Sequence, residues 1–330
     1  MFLTFERNIF ILIHPTLIRD LGVRRPDRTE TTNEQNERRS IVIDLKKIGK
    51  NVPKELRMII YGPEGIGKST FGSMAKKPIF LLTEDGLGDI TVPAIPQDEN
   101  GDPRVASSFD EVMECIRALA EEEHDYETLV VDTLDWLEPL IWKATCKRLN
   151  VNSIEEPGYG RGYVENLQEW QQFFDAITYL RDVRHMTVIM IAHSAVAKIE
   201  DPMHPAYDKS GLKLHKKAAA KAAEYSDVIG FCALRTLLKT EKTGFDKTRN
   251  IAISTGERVL YLSPSAGYVA KNRCRGMPDM IPLDYSEFEK YRPGYVEPKV
   301  EEEEKKERDD IPEPLATLVG AKSSTKRKGE

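Results

Sequence analysis

The chain has 330 residues and a mass of 37.5 kDa, enough for one large domain with appendages or two modest ones. Apolar residues make up 40% and charged residues 31%, which describes a soluble core with polar ends, and a net charge of −6 excludes an overall basic footprint, so any nucleic-acid contact must come from a local patch. Cys115, Cys146, Cys232 and Cys274 stand far apart without a C-x-x-C pair, which argues against a zinc site and for free thiols in a reducing compartment.

Residues 1–40 mix apolar and charged patches without periodicity and read as a flexible N-terminal arm. Its apolar stretch Ile9-Phe-Ile-Leu-Ile13 is too short to span a membrane or to serve as a secretory core, so the expected location is cytoplasmic. Folded sequence is expected from about Ile41, with a domain over residues 41–292. The first sheet strand, 57–61, runs into Gly62-Pro63-Glu64-Gly65-Ile66-Gly67-Lys68-Ser69-Thr70, which contains a complete G-x-x-x-x-G-K-[ST] phosphate-binding loop. The glycines let backbone N–H groups turn inward around a triphosphate, Lys68 reaches the β- and γ-phosphates, and the Ser69 hydroxyl is placed to ligate Mg²⁺. The positive end of the following helix aims at the same anion.

Beyond the loop, strands and helices alternate, as in a parallel sheet covered by helices. Pro78 to Leu82 and Thr128 to Asp132 read as buried strands. Ser108-Phe-Asp-Glu111 is a capping box opening a helix to about Glu122, and Tyr163 to Val183 carries helical apolar spacing. Met186 to Ala192 reads as a further buried strand, 196–212 as a long polar loop, and 228–239 with 250–262 as an antiparallel hairpin. Residues 293–330, with Glu301-Glu-Glu-Glu304 and Lys326-Arg-Lys328, read as a disordered mixed-charge tail.

In open parallel sheets the ligand sits at the carboxyl ends of the strands, so the polar residues there carry the chemistry. Asp132 suits the acidic element that holds Mg²⁺ with Ser69. Thr133 follows it where many ATPases place a glutamate, so the group that activates water must come from elsewhere. Glu84 is the first candidate, because adjacent strand ends can face one γ-phosphate; Asp135 and Glu64 are weaker ones. His193, or Ser194 beside it, is placed to sense the γ-phosphate. Lys213, Lys217 and Lys221 fall at helical spacing with Lys216 beside them. They read as a solvated face, as a phosphate-backbone contact for nucleic acid, or as cations reaching a neighbouring subunit's ATP. Lys271 and Arg273, with Arg275, form a second basic cluster that could close over a nucleotide or cross a subunit boundary. Tyr159, Tyr163 and Tyr207 are available for base stacking.

Together, the loop, Thr83-Glu-Asp-Gly86, Val130-Val-Asp-Thr-Leu-Asp135, Ala192-His-Ser194, Leu212-Lys-Leu-His-Lys-Lys217 and Ala270-Lys-Asn-Arg273 resemble the phage-encoded, RecA-like P-loop ATP-binding proteins that include single-strand annealing recombinases. The resemblance covers about residues 41–290. It implies an α/β RecA-like P-loop NTPase core with an added antiparallel hairpin, ATP and Mg²⁺ as cofactors, and slow or DNA-stimulated ATP hydrolysis. It further implies a role in phage recombination through single-stranded DNA binding or annealing in the bacterial host cytoplasm, beside a single-strand-binding protein and as a homo-oligomer. In that family's terms Glu84 activates water, Lys68 and Ser69 hold phosphate and metal, Asp132 supports the metal and His193 senses the γ-phosphate. The family often has an aspartate where Thr83 stands. Three other readings remain: a nucleotide kinase, which needs an arginine-rich lid; an AAA+ remodelling ATPase, which needs a glutamate beside Asp132; and a nucleotide-gated scaffold with weak turnover.

Overall fold

A computed structural model describes residues 50, 52–200, 205–242 and 248–295. The expected arm over 1–40, the start near Ile41 and the tail from 296 onward lie outside these residues. The strands are β1 (Arg57–Gly62), β2 (Pro78–Leu82), β3 (Ala94–Ile95), β4 (Thr128–Asp132), β5 (Thr187–Ile199), β6 (Tyr207–Leu212), β7 (Val228–Lys242), β8 (Thr248–Tyr261), β9 (Lys271–Asn272) and β10 (Met280–Pro282). The helices are α1 (Lys68–Ser73), α2 (Phe109–Glu121), α3 (Leu134–Leu149), α4 (Gly162–Glu165), α5 (Leu167–Val183), α6 (Lys216–Tyr225) and α7 (Tyr285–Glu289).

The sheet runs β10-β8-β7-β1-β5-β4-β2-β3, parallel from β7 to β3 and antiparallel at β8 and β10. This is an α/β P-loop NTPase fold in which β5 separates the loop strand β1 from the aspartate strand β4. Both faces are covered, so the central strands are apolar throughout, as their runs of Ile, Val and Leu require. Ile59 and Tyr61 pack with α2, α3 and α5 on one face; Met58 and Ile60 pack with Phe71, Tyr285 and Phe288 on the other. Gly62 is required where β1 meets β7: a Cβ there would stand 2.3 Å from the Cys232 carbonyl oxygen.

Several elements differ from expectation. The long helix is broken at Asn166 into α4 and α5. The capping box is only half formed: Ser108 Oγ accepts from the Glu111 N–H, but the Glu111 carboxylate accepts from the Ser107 N–H instead of Ser108. Residues 196–212 are not a long loop. β5 continues to Ile199 and pairs antiparallel with β6, Ser194 opposite Leu212 and Ile199 opposite Tyr207. Its outer residues are exposed, so no apolar alternation marked the hairpin. The buried Tyr61 hydroxyl anchors it, donating to the Val269 carbonyl at 2.7 Å while accepting from the Val269 N–H at 2.9 Å, with the Ser210 carbonyl 3.1 Å away. Lys213 precedes α6 instead of sharing its face with Lys217 and Lys221.

The buried Glu138 carboxylate on α3 accepts from the His215 N–H at the start of α6, at 3.0 and 3.1 Å. Desolvation raises its pKa from 4.5 to about 7. The folded state therefore keeps a proton that the unfolded chain loses, and the stability contributed by this group falls as pH rises from 4.5 to about 7. Glu138→Gln keeps an acceptor without the charge. In urea unfolding the variant should match the wild type near pH 4.5 and exceed it at pH 8 by roughly 1–3 kcal/mol. A wild type that is the more stable of the two at pH 8 would contradict this account.

Candidate functional site

A cleft of about 510 Å³ lies over the carboxyl ends of the parallel strands, lined by the loop residues Glu64, Gly65, Gly67, Lys68, Ser69 and Thr70 together with Glu84, Trp136, His193, Lys213 and Arg258. The loop is shaped by Gly65 (φ 69°) and Gly67 (φ 104°), left-handed conformations open to glycine at little cost. α1 starts at Lys68, directly after Gly67, so its unpaired N–H groups face the cleft. Lys68 is 6% exposed, and its ammonium donates to the carbonyls of Pro63 at 2.9 Å and Gly62 at 3.3 Å. Burial lowers its pKa, with Asp132 and Glu84 among the charges opposing that shift.

Strand register brings the other groups to the same place. Leu82 is opposite Asp132, and beyond β2 the Thr83 and Glu84 N–H groups both reach the Asp132 carbonyl, at 2.8 and 3.3 Å, so Glu84 stands beside the end of β4. Thr83 donates its hydroxyl to the Thr133 carbonyl at 2.6 Å, so it links the two strand ends where an aspartate was the family expectation. On β5, His193 is opposite Gly62, the first loop residue.

Asp132 is 1% exposed, and its Oδ2 accepts from the Ser69 hydroxyl at 2.7 Å. Among the described residues, its Oδ1 is buried without a partner. Burial raises the Asp132 pKa, with Asp135 adding repulsion and Ser69, Lys68 and His193 opposing. A buried carboxylate with one oxygen orphaned, beside a hydroxyl, is a hard oxygen donor set short of a cation. These residues fit Mg²⁺.

Asp135, in the first turn of α3, accepts from the His193 N–H at 2.9 Å and lies 2.8 Å from His193 Nδ1. Asp135 already accepts from the His193 N–H, so Nδ1 is assigned as the ring donor, and among the described residues Nε2 has no partner. Donor atoms of Glu84, Asp135 and His193 all lie within 4.8 Å of one another. Burial raises the Glu84 pKa; Asp132 and Asp135 add to the rise, while His193 and Lys68 oppose it. Chemically, the cleft pairs an anion cradle with a half-buried carboxylate of raised basicity.

The other candidates separate. Lys213 joins the cleft, its Nζ 3.9 Å from Asp135 and its N–H donating to the His193 carbonyl. Lys216 and Lys217 are exposed on the first turn of α6. Lys271 donates to the Ala223 and Glu224 carbonyls at the end of α6, and Arg273 pairs with Asp227 at 3.1 Å, so both cations already have partners at that helix end and neither lines the cleft. Tyr163 stacks on His215, ring centroids 4.1 Å apart, whereas Tyr159 is fully exposed. Trp136 and Arg258 were not read from the sequence as cleft residues. Trp136 follows Asp135 directly, a signal that was available; Arg258 is brought in by the return strand of a hairpin and carries no local signal.

The family model described as AAA domain matches residues 54–274, which spans every group of the cleft. The chain belongs to this AAA domain family. An SPbeta prophage-derived uncharacterized protein, YorG of Bacillus subtilis (strain 168), is 26% identical over 216 residues, 65% of this AAA domain chain and 58% of that protein. The chain thus spans little more than half the length of that relative. A RadB recombinase crystal structure aligns with TM-score 0.37 and 14% identity, over 69% of this chain and 86% of that one. Among the described residues, no helix is long and apolar enough to cross a membrane.

Proposed function

We propose that this AAA domain protein binds ATP with Mg²⁺ and hydrolyses it, and that it acts on single-stranded DNA in phage recombination, by binding or annealing, in the cytoplasm of a bacterial host. The observation that carries the ATPase reading is the convergence, in one cleft, of the loop with Lys68, the Ser69–Asp132 pair with its orphaned oxygen, and the Glu84–Asp135–His193 cluster. Lys68 exchanges its loop carbonyls for phosphate oxygens, and the loop N–H groups hold the triphosphate in place. Ser69 and Asp132 would hold Mg²⁺, whose charge would offset that of the bound triphosphate. Glu84, its basicity raised by burial, takes a proton from the attacking water. His193, its Nδ1–H held by Asp135, presents Nε2 as an acceptor to that water, and reaches the γ-phosphate as a donor only in the imidazolium form, where both ring nitrogens carry hydrogen.

The DNA reading is supported by continuity and charge. The chain runs from His193 directly into the β5–β6 hairpin, which carries Lys198 and Lys209, and on to Lys213, Lys216, Lys217 and Lys221. The prophage origin in the name of the B. subtilis relative supports the phage setting. A homo-oligomer and a single-strand-binding partner complete this reading.

The test is ATP turnover with and without single-stranded DNA, alongside DNA binding at two salt concentrations. Mg²⁺-dependent hydrolysis that rises with DNA is expected, with affinity falling as salt rises by a log–log slope of about −0.7 per phosphate contacted. No DNA binding at low salt with ATP and Mg²⁺ present rejects the DNA reading and leaves the ATPase reading standing.

A further inference from the structure

Arg258 stands in the cleft on the side away from the metal-binding carboxylates. In the sheet order, Glu84 just beyond β2, Asp132 at the end of β4 and His193 within β5 all stand to one side of the loop strand β1. Arg258 lies on β8, beyond β7 on the other side. Its guanidinium rests over the loop itself: a Cβ built on Gly67 would meet Arg258 Nη1 at 3.2 Å and Cδ at 3.9 Å.

The backbone holds it there. Leu234 pairs with Arg258, but the next register pair is Thr236 with Ser254, so β8 sets Thr255-Gly256-Glu257 against the single Arg235 of β7. Gly256 takes φ 80°, and the Thr255 hydroxyl donates to the Arg235 carbonyl at 3.1 Å, so this irregularity is built and fastened. Bulges of this kind re-aim the side chains beside them. On the other edge of β8, the Arg258 carbonyl accepts from the Leu283 N–H at 3.0 Å. The neighbouring acid, Glu257, is engaged by Arg235 at 3.0 Å. Among the described residues, no carboxylate lies within 4.0 Å of the Arg258 guanidinium. An exposed arginine aimed at a phosphate cradle, with no carboxylate of its own, fits a bidentate phosphate contact.

We propose that Arg258 is a nucleotide-binding residue supplied by the same chain, gripping the diphosphate common to ATP and ADP from the side opposite Mg²⁺. The assignment rests on the ATP-site reading above. The γ-phosphate is left to Lys68, with Glu84 and His193 across β1 facing the attacking water.

Arg258→Ala and Arg258→Lys test it, read by titration with ATP, ADP and inorganic pyrophosphate. Trp136, 55% exposed in the same cleft, supplies an intrinsic fluorescence signal. Loss of the fork should weaken ATP and ADP equally, by about tenfold, and pyrophosphate with them. Lysine should restore only part of the loss, because a point charge replaces a planar fork. Unfolding of the nucleotide-free variants should match the wild type. Unchanged affinities, a loss confined to ATP, or a loss that spares pyrophosphate each overturns the assignment. A wild type that binds no nucleotide sinks the ATP-site reading and this assignment with it, whereas wild-type binding with unchanged Arg258→Ala affinity overturns this assignment alone.

Discussion

Replacing Glu84 by glutamine should lower the turnover number for ATP by about 100- to 1,000-fold while leaving ATP affinity within about threefold. The asymmetry follows from position. Glu84 is held beside the end of β4 by hydrogen bonds from Thr83 and Glu84 to the Asp132 carbonyl, and it makes no part of the loop that cradles phosphate. Glutamine keeps the shape and removes only the basic oxygen. The pH profile supplies a second readout. Burial and the neighbouring aspartates raise the Glu84 pKa, so the acid limb of the wild-type turnover profile should lie above the ordinary carboxylate range, with activity rising as pH increases through it. That limb should vanish from the residual activity of Glu84→Gln. Steady-state kinetics across pH, with ATP binding measured in parallel, decides the matter. Equal losses in binding and turnover would point to a structural carboxylate instead.

Asp132→Asn should also cost about 100-fold or more in turnover, by a different route, with apparent Mg²⁺ affinity weakened at least tenfold. In the metal-free protein the same substitution should be neutral or stabilising. The folded chain holds this carboxylate almost fully buried, with its pKa raised by desolvation and one oxygen unpartnered, so removing its charge relieves a cost. If Asp132 served only as the hydrogen-bond partner of Ser69, the reverse pattern would appear: lower stability from loss of a charge-assisted bond, and unchanged Mg²⁺ dependence. Chemical unfolding without metal and Mg²⁺ titration of turnover separate the two.

What could be read from the sequence follows from how far apart the cooperating residues lie. The loop is contiguous, and its glycine spacing is set by backbone geometry that the structure repeats at Gly65 and Gly67. Glu84, Asp132 and His193 were legible as candidates because each closes or follows an apolar run, and the parallel register then carries all three to one edge of the sheet. The pairing of Asp135 with His193 spans 58 positions and depends on the first turn of α3 facing the end of β5, which no local pattern announces. The β5–β6 hairpin escaped for another reason. Tyr207-Asp-Lys-Ser-Gly-Leu212 is polar because it pairs outside the core, and polar sequence without alternation looks like loop. Arg258 escaped for both reasons at once, since it sits beside a bulge on a strand that returns to the loop from a hairpin tip. The basic runs carry no such positional signal: Lys271 and Arg273 stand away from the cleft, Lys271 on α6 carbonyls and one Arg273 nitrogen on Asp227.

The most direct test of the central claim measures bound nucleotide and released phosphate in the same sample, for wild type and Glu84→Gln, with ATP in the presence of Mg²⁺ and again with the metal chelated. The wild type should bind ATP and release phosphate only with Mg²⁺, and Glu84→Gln should retain ATP unhydrolysed. A wild type that binds no ATP with Mg²⁺ present, or a Glu84→Gln protein that turns over at the wild-type rate, would contradict the account.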